Sequence, residues 1–266
     1  MDLQLQGRSA FVSGSTRGIG SAVAERLAAE GARVILSGRR PEAVEAAVTR
    51  LRTRHPGAEH TGVVVDFADA AGVEDALAAS PQLQEVDILV NNVGMFGLAE
   101  FEDIVDEDWS RYLEVNLMSG VRLSRRALPG MLDRGWGRVL FIASESGVNV
   151  PADMIHYGVT KAAMIALGNG LAKRTRGTAV TVNTVLGGPT YSDGVADTVQ
   201  AIAAAQSAPV DAVKQAIIGQ NRTTLLERFI EPDEIATLVA YLASPLASAT
   251  NGATLRADGG VLTGML

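Results

Sequence analysis

Short runs of apolar and β-branched residues alternate with longer stretches rich in Ala, Leu, Glu and Arg along most of the chain. The apolar runs predict strands, which we place at Ser9–Ser13, Arg33–Ser37, Thr61–Val65, Ile88–Asn91, Arg138–Ala143, Val180–Val185 and Thr254–Arg256. The stretches between them predict helices at about Ile19–Glu30, Pro41–Arg54, Ala70–Ala79, Asp106–Leu132, Tyr157–Thr175 and Pro232–Ala243. Apolar strands that alternate with helices favour a parallel sheet covered on both faces. We therefore expect one α/β domain over residues 1–266.

The alternation breaks between Val185 and Pro232, where the pattern predicts two short helices near Ser192–Ala205 and Pro209–Gly219. An insertion of this length after a strand usually forms a lid or a substrate loop, so we expect a substrate lid at about 188–228. Apolar residues recur through it at largely helical spacing, at Val195, Val199, Ile202, Val213, Ile217 and Ile218. This stripe either packs onto the domain, which we favour, or lines an apolar substrate site.

Composition and charge exclude several classes of function. The chain contains no cysteine, which excludes thiolate catalysis and cysteine–zinc sites, and His55, His60 and His156 lack the spacing of metal ligands, so no metal site is expected. The net charge of −7 opposes binding to nucleic acid or to an anionic membrane. No apolar run reaches the roughly 18 residues of a membrane span, and Met1–Arg8 shows no signal-peptide pattern. We expect a cytoplasmic protein with a small-molecule substrate.

A glycine-rich segment follows the first predicted strand and opens the first helix. It consists of Gly14, Ser15, Thr16, Arg17, Gly18, Ile19 and Gly20. Glycines in this context permit a tight turn and let backbone amides approach a pyrophosphate, which then rests on the positive end of the helix. An ordinary turn between strand and helix is the alternative for a lone glycine motif. The spacing Gly-x-x-x-Gly-x-Gly favours a dinucleotide site.

The end of the second strand bears on which dinucleotide is bound. An acidic side chain there would bind the ribose hydroxyls of NAD, but this chain has Gly38 followed by Arg39. Arg39 and Arg17 together would favour the 2′-phosphate of NADP through charge-assisted bonds, although solvated surface arginines are the alternative. On this hypothesis, Gly38→Asp shifts the preference toward NAD. Asp66, with Phe67 beside it, would bind the adenine, or Asp66 would cap the next helix.

A second cluster has the composition of a proton-transfer site. Tyr157 and Lys161 are one helical turn apart and share a face, and Ser144 follows a buried strand at the edge where open α/β sheets bind ligands. A free tyrosine has a pKa of about 10. Lowering it to neutrality takes about 4 kcal/mol of preferential stabilisation of the phenolate. A neighbouring ammonium and an oxidised nicotinamide would supply much of this, and Ser144 would hold the substrate oxygen.

The motifs together resemble the short-chain dehydrogenase/reductase family, in its single-domain branch. The matching positions are Gly14, Gly18, Ile19 and Gly20; Asn91, Asn92, Val93 and Gly94; Asn116; Ser144; Tyr157 and Lys161; and Ala257, Asp258, Gly259 and Gly260. They span essentially the whole chain in the family's order. The resemblance implies a Rossmann-like, doubly wound sheet of seven strands. It also implies a homo-oligomer, usually a tetramer, built on the helices around Asp106–Leu132 and Tyr157–Thr175.

The resemblance also implies roles for individual residues. Tyr157 would be the general acid/base, Lys161 would lower its pKa and bind the nicotinamide ribose, and Ser144 would orient the substrate oxygen. The backbone of Asn116 would hold a water that relays protons from Lys161 to solvent. Further expected cofactor contacts are Asn92, Gly94, Gly187, Gly188 and Thr190.

Two positions depart from the family pattern. Val93 stands where alanine is usual, a change that we expect to be tolerated. Gly187 and Gly188 stand where Pro-Gly is usual. Loss of the proline should make this segment, which normally contacts the nicotinamide carboxamide, more flexible.

The substrate is less well defined by the sequence. Expected pocket walls are Met95, Phe96, Val150 and Met154, and they favour a mainly apolar carbonyl or secondary alcohol. Arg222 and Arg228 are candidate anchors for a substrate anion, although Arg228 fits a structural contact better. Glu145 could face the pocket or cap the following loop, and we expect His156 to be a bystander.

We therefore expect an oxidoreductase that prefers NADP(H) and transfers a hydride between the nicotinamide and an apolar carbonyl or secondary alcohol. A reductase of 3-oxoacyl thioesters is the family default. An NAD-dependent dehydrogenase of secondary alcohols is one alternative. A non-catalytic member that binds NADP(H) or serves as a structural subunit is another.

Overall fold

Seven parallel strands form one sheet in the computed structural model, which describes residues 1–221 and 223–265. The strand order is β3-β2-β1-β4-β5-β6-β7. The strands are β1 Ser9–Val12, β2 Arg33–Gly38, β3 Thr61–Val64, β4 Ile88–Asn91, β5 Trp136–Ser144, β6 Ala179–Gly187 and β7 Thr254–Ala257. The order reverses between β1 and β4, and the carboxyl ends of strands on either side of such a reversal form a crevice that binds ligands.

Helices connect the strands. They are α1 Gly18–Ala29, α2 Pro41–Arg54, α3 Ala70–Ala78, α4 Asp106–Tyr112, α5 Ser119–Asp133, α6 Ile155–Ala172, α7 Asp193–Gln206, α8 Val210–Gln220 and α9 Pro232–Ala243. Short 3₁₀ turns cover Pro81–Gln84, Phe101–Asp103, Glu145–Gly147, Lys173–Thr175 and Pro245–Ala247, and a π-helical turn over Leu113–Met118 joins α4 to α5. Within the described residues, no helix is long and apolar enough to span a membrane.

The sheet separates two hydrophobic layers. Helices α1, α2 and α9 pack on one face, in a cluster that includes Val12, Leu27 and Val239. Helices α3, α5 and α6 pack on the other face, with Phe11 and Phe141 at the centre. Adjacent residues of β1 thus point into different layers, as the two-residue period of a strand requires. The doubly wound sheet expected from the sequence is confirmed.

The element boundaries differ from the sequence expectation at several places. Strands β5 and β6 are longer than predicted, because β5 continues through Ser144 and β6 through Gly187, and these two residues pair in register. The single helix predicted over Asp106–Leu132 is interrupted by the π-helical turn. Apolar periodicity continues through such a turn, so the sequence pattern does not reveal it.

The segment predicted as a lid contains α7 and α8, which pack against each other. Val199, Ala203 and Val213 are buried between them, and Val195, Ile202 and Ile217 pack against this cluster. The expectation that the apolar stripe packs onto the domain is therefore wrong, because the two helices bury most of it between themselves. The base of the lid is closed by a parallel bridge between Thr190 and Ile230.

Candidate active site

The glycine-rich loop lies between β1 and α1 and is held from both sides. The Gly14 amide donates to Ser37 Oγ over 3.1 Å, and the Ser15 amide donates to the Ser37 carbonyl over 2.9 Å. From the β4 side, Asn92 Nδ2 donates to the carbonyls of Ser13 and Gly14 over 2.9 and 3.1 Å. Gly14 therefore gives the loop its shape but directs its amide to β2, and Asn92 positions the loop through its side chain.

The loop fits the pyrophosphate of a dinucleotide. Gly18 begins α1 with a φ of 63°, a backbone conformation that favours glycine. A Cβ on Gly20 would lie 2.5 Å from both the Gly14 carbonyl oxygen and Asn92 Nδ2, so only glycine allows the first turn of α1 to approach the loop. The side chain of Arg17, which precedes α1, makes no capping hydrogen bond to the helix. The helix thus presents backbone amides at its positive end, where phosphates bind.

Two acidic residues of the lid contact this loop. Asp193 Oδ2 accepts a hydrogen bond from the Gly18 amide over 2.5 Å, and Asp197 Oδ2 lies 3.1 Å from Arg17 Nη1. The sequence analysis expected Arg17 to converge with Arg39 on a 2′-phosphate. The structure instead pairs Arg17 with Asp197, while Arg39 is exposed just after β2.

Any side chain at position 38, at the end of β2, would require its neighbours to shift. A Cβ on Gly38 would lie 2.6 Å from Thr16 Cγ2 and 3.2 Å from Val44 Cγ2. The methyl group of Thr16 therefore fills the space that the side chain of a residue at 38 would need. Sequence reasoning missed Thr16 in this role, and it also missed Arg50, whose Nη2 lies 3.2 Å from Ser21 Oγ at the first turn of α1.

Asp66 and Phe67 follow β3, where contacts to adenine were expected. Asp66 is exposed, and its Oδ1 accepts from the Ala68 amide over 3.0 Å. Helix α3 is capped by Asp69, so the alternative role of Asp66 as the helix cap is wrong. The side chain of Phe67 is buried in the core, which leaves only its backbone for a ligand.

Three elements bring the proton-transfer residues together at the carboxyl edge of the sheet. Ser144 ends β5, and Tyr157 and Lys161 share one face of α6. The buried Lys161 Nζ donates to the Ile142 carbonyl over 2.9 Å and lies 5.7 Å from the centroid of the Tyr157 ring. Ser144 Oγ accepts from the Ser146 amide over 3.1 Å. The residues that the sequence paired are thus neighbours in space.

Burial dominates the electrostatics of this site. It raises the pKa of Tyr157 to about 12, against which a hydrogen bond with Ser144 acts to lower it and nearby Glu145 acts to raise it. Burial also lowers the pKa of Lys161 to about 8. Each group is therefore biased toward its neutral form, as a partly dehydrated site requires.

Asn116 lies in the π-helical turn and is completely buried. Its Oδ1 accepts from the Met95 amide over 2.7 Å, and its Nδ2 donates to the Met95 carbonyl over 3.0 Å and to Thr160 Oγ1 over 2.9 Å. Thr160 in turn donates to the Tyr157 carbonyl over 2.7 Å. Asn116 thus connects the segment after β4 to α6. Sequence reasoning missed Thr160, although it lies between Tyr157 and Lys161.

The segment expected at the nicotinamide is well anchored. Gly187 belongs to β6 and pairs with Ser144 and Ala257, and the Gly188 amide donates to the Ala257 carbonyl over 3.2 Å. Thr190 Oγ1 donates to the Gly188 carbonyl over 2.8 Å. The expected flexibility is therefore not located at the two glycines, because the sheet and these hydrogen bonds hold them. Gly94, the remaining expected contact, lies beside the amino group of Lys161.

Some of the residues expected as pocket walls lie near Tyr157. The Phe96 ring meets the Tyr157 ring edge-on, with 6.4 Å between centroids, and Val150 contacts Gly158. Phe96 is 50% exposed and Val150 is 41% exposed. Met95 lies at the same segment as Phe96, and Met154 precedes α6. The structure thus places an apolar rim beside Tyr157.

Among the remaining polar candidates, Arg228 and His156 make contacts within the fold, whereas Glu145 lies beside the site. Arg228 binds Glu234, with 2.7 Å between Nη1 and Oε2, which is the structural contact favoured from the sequence. His156 is buried against Tyr112, with 4.0 Å between ring centroids, and is a bystander. Glu145 is half-buried beside the site, and burial raises its pKa. Arg222 lies outside the described residues.

Comparison with known proteins shows the family to which the chain belongs. The family model of short chain dehydrogenases matches residues 8–203. The uncharacterized oxidoreductase YvaG of Bacillus subtilis (strain 168) is 45% identical over 263 residues, covering 98% of this chain and 98% of that protein. The 3-oxoacyl-[acyl-carrier-protein] reductase FabG of Aquifex aeolicus is 32% identical over 262 residues, covering 98% of this chain and 100% of that protein.

A solved structure extends the comparison to three dimensions. L-sorbose reductase from Gluconobacter frateurii, complexed with NADPH and L-sorbose, superposes with a TM-score of 0.93 at 31% identity, over 100% of both chains. These matches of sequence and fold cover essentially the whole chain. This chain belongs to the short-chain dehydrogenase/reductase family of oxidoreductases, which act on CH–OH and C=O groups.

Proposed function

We propose that this protein is an NADP(H)-dependent oxidoreductase that reduces a mainly apolar carbonyl compound to the secondary alcohol. The observation that carries the proposal is the proximity of Ser144, Tyr157 and Lys161 at the carboxyl edge of the sheet. This edge also carries the phosphate-binding loop, so a dinucleotide on Gly18 and a substrate at Tyr157 share one crevice.

The chain's own residues account for proton transfer. NADP(H), when bound, supplies or accepts the hydride. Tyr157 exchanges a proton with the substrate oxygen, which Ser144 Oγ orients. The Lys161 ammonium favours the phenolate form of Tyr157 and binds the nicotinamide ribose. Asn116 holds the segment of Met95 against α6, and its backbone holds a water that relays protons from Lys161 to solvent.

The preference for NADP(H) is supported at the end of β2. Gly38 carries no carboxylate that would bind the ribose hydroxyls of NAD, and the methyl group of Thr16 lies where a Cβ at this position would be. Arg39 is exposed at the same place and supplies a guanidinium for a 2′-phosphate. The structural neighbour L-sorbose reductase was solved with NADPH. An NAD-dependent dehydrogenase of secondary alcohols remains the alternative.

The apolar rim supports the substrate class. Phe96 and Val150 present apolar surface beside Tyr157, and such surface binds an acyl chain by the hydrophobic effect. A relative that is 32% identical is named a 3-oxoacyl-[acyl-carrier-protein] reductase. We therefore propose a 3-oxoacyl thioester or a similar apolar ketone.

A polyhydroxylated ketone is a second candidate, favoured by one observation. Glu145 is half-buried beside Ser144 and close enough to Tyr157 to raise its pKa. A carboxylate in this position accepts hydrogen bonds from substrate hydroxyls, and the structural neighbour at a TM-score of 0.93 was solved with L-sorbose. On this candidate, Glu145→Gln raises KM for a ketose at least about tenfold, whereas KM for an apolar ketone stays unchanged.

The experiment measures NADPH oxidation by absorbance with 3-oxoacyl thioesters, simple ketones and ketoses, beside the same reactions with NADH. Tyr157→Phe keeps the ring but removes the proton, so turnover should fall about 10²–10⁴-fold while NADPH binding persists. Turnover that survives in Tyr157→Phe would contradict the assigned acid/base. Tight NADPH binding without turnover of any substrate would favour the non-catalytic alternative.

A further inference from the structure

Two carboxylates of the lid occupy positions at the phosphate-binding loop. Asp193 and Asp197 are four residues apart on α7 and share a face. Asp193 accepts a hydrogen bond from the Gly18 amide over 2.5 Å, and Asp197 pairs with Arg17 over 3.1 Å. Both contacts cross from the lid to the same loop, and neither is needed to hold the core together.

The first contact uses a group that a phosphate needs. Gly18 is the first residue of α1, and the amides at the start of a helix attract anions through their unpaired hydrogens and the helix dipole. The Asp193 carboxylate has the same charge sign and the same acceptor atoms as a phosphate oxygen. It therefore competes with the pyrophosphate for this end of the helix.

The second contact neutralises a cation that a 2′-phosphate needs. Arg17 and Asp197 keep 64% and 68% of their side chains exposed, and an exposed pair of this kind is weak. The pair adds little to stability, but it still affects the cofactor, because a guanidinium that is paired with Asp197 is unavailable to a phosphate of the cofactor. We therefore expect Asp197 to weaken cofactor binding less than Asp193 does.

The construction of the lid allows these contacts to break together. Helices α7 and α8 bury their apolar residues against each other, so they can move as one body. At the base, the Tyr191 amide donates to the Ile230 carbonyl and the Ile230 amide donates to the Pro189 carbonyl, each over 2.8 Å. The two ends of the lid are therefore joined at one base, and the competition proposed below requires α7 to separate from the loop by movement about this base.

We propose that Asp193 and Asp197 set the affinity and selectivity for the cofactor by competing with its phosphates for the glycine-rich loop. This inference rests on the proposed binding of NADP(H). Asp193 opposes the pyrophosphate, which NADPH and NADH share. Asp197 opposes the 2′-phosphate, which only NADPH carries.

The test measures dissociation constants of NADPH and NADH by fluorescence titration, without turnover. If the conformation in which α7 contacts the loop is populated nine times in ten, a variant that no longer adopts it binds the cofactor up to about tenfold more tightly. Asp193→Ala should therefore lower both dissociation constants about 5- to 10-fold. Asp193→Asn keeps an acceptor for the Gly18 amide but loses the charge, so its effect should be smaller. Asp197→Asn should lower the constant for NADPH about 3-fold and that for NADH less than about 1.5-fold.

Controls separate this inference from the proposed function. Asp211→Asn removes an exposed carboxylate in the first turn of α8 and should leave both constants unchanged. Unchanged or weaker binding of both cofactors in Asp193→Ala and Asp193→Asn would overturn the inference about Asp193. Equal gains for NADPH and NADH in Asp197→Asn would overturn the selectivity role. Failure of the unmodified protein to bind either cofactor would overturn the proposed function and this inference together.

Discussion

Lys161 is a buried cation whose proposed catalytic role conflicts with the stability of the fold. Its side chain is buried, its Nζ donates to the Ile142 carbonyl, and burial lowers its pKa to about 8. Near pH 7 the folded protein therefore holds a charged group in surroundings that favour the neutral amine. Residues at catalytic sites commonly reduce stability in this way.

Replacement of this lysine should separate the two effects. Lys161→Met should abolish turnover and raise the free energy of unfolding at pH 7 by about 1–3 kcal/mol, because a buried charge is removed. The folded-state pKa lies below the unfolded value, so the unfolded chain binds more protons between about pH 8 and pH 10.5, and stability due to Lys161 rises with pH there.

Denaturant unfolding at pH 7 and pH 10 measures this difference. The stability advantage of Lys161→Met should shrink between the two values, since the unmodified protein loses its buried charge on deprotonation. A variant that is less stable than the unmodified protein at pH 7 would contradict the account. Lys173→Met, on the same side of the sheet but exposed after α6, serves as the control.

On the proposed preference for NADP(H), the side chain of Thr16 limits what a substitution at Gly38 can do. A Cβ on Gly38 would contact Thr16 Cγ2 at 2.6 Å. Gly38→Asp alone should therefore lose about 1–3 kcal/mol of stability through overpacking and shift selectivity only weakly. Thr16→Ser removes the methyl group, so the double variant should favour NADH over NADPH at least about tenfold more than Gly38→Asp does.

The ratio of kcat/KM for NADPH and NADH, measured in both single variants and the double variant, tests this coupling. Thr16→Ser alone should leave the ratio nearly unchanged. A full shift in Gly38→Asp without the second change would show that Thr16 does not restrict the site.

At the scale of an element, the π-helical turn between α4 and α5 positions Asn116. The turn places its side chain between the Met95 backbone and Thr160, with three hydrogen bonds. Wider turns of this kind are rare and are frequent at functional sites. The connection reaches α6, which carries Tyr157 and Lys161, so one turn of one helix fixes two walls of the site.

Asn116→Ala should remove this connection. Loss of three buried hydrogen bonds should cost about 2–4 kcal/mol of stability, and kcat should fall at least about tenfold because the segment of Met95 is released. Ser119→Ala is the matched control. It is buried in the next helix and donates only to the Val115 carbonyl, so it should cost about 1 kcal/mol and leave kcat unchanged. Equal effects of both variants on kcat would contradict a specific role for Asn116.

At the scale of the whole molecule, the sequence predicts the sheet because the pattern is local. The runs around Phe11 and Phe141 are strongly apolar, and their strands are confirmed. The proximity of Tyr157 and Lys161 was equally predictable from the sequence, since one helix places both. The ion pair of Arg17 was not predictable, because its partner Asp197 is 180 residues away. The packing of Val199 against Val213 likewise depends on how two helices meet, which periodicity does not specify.

Assembly into a homo-oligomer stays a prediction at this scale. Leu113, between α4 and α5, is 36% exposed, and Val159 on α6 is 41% exposed, so the helices expected at the interface present apolar surface. Light scattering should give a tetramer or a dimer. Val159→Glu should shift it to a smaller species, whereas Val64→Glu, at a 44% exposed residue of β3, should not. A monomeric unmodified protein would contradict the prediction.

The packing of α7 and α8 against each other has a consequence for how the sequences of relatives can diverge. Among the described residues, the lid's cluster shares no member with the two clusters that flank the sheet. On the expectation that this segment contacts the substrate, changes in it should affect which substrates are accepted more than whether the chain folds. The segment is joined to itself at Thr190 and Ile230, so its sequence can change with little effect on the packing of the sheet and its helices. New substrates can be explored there while the scaffold that carries the chemistry stays unchanged.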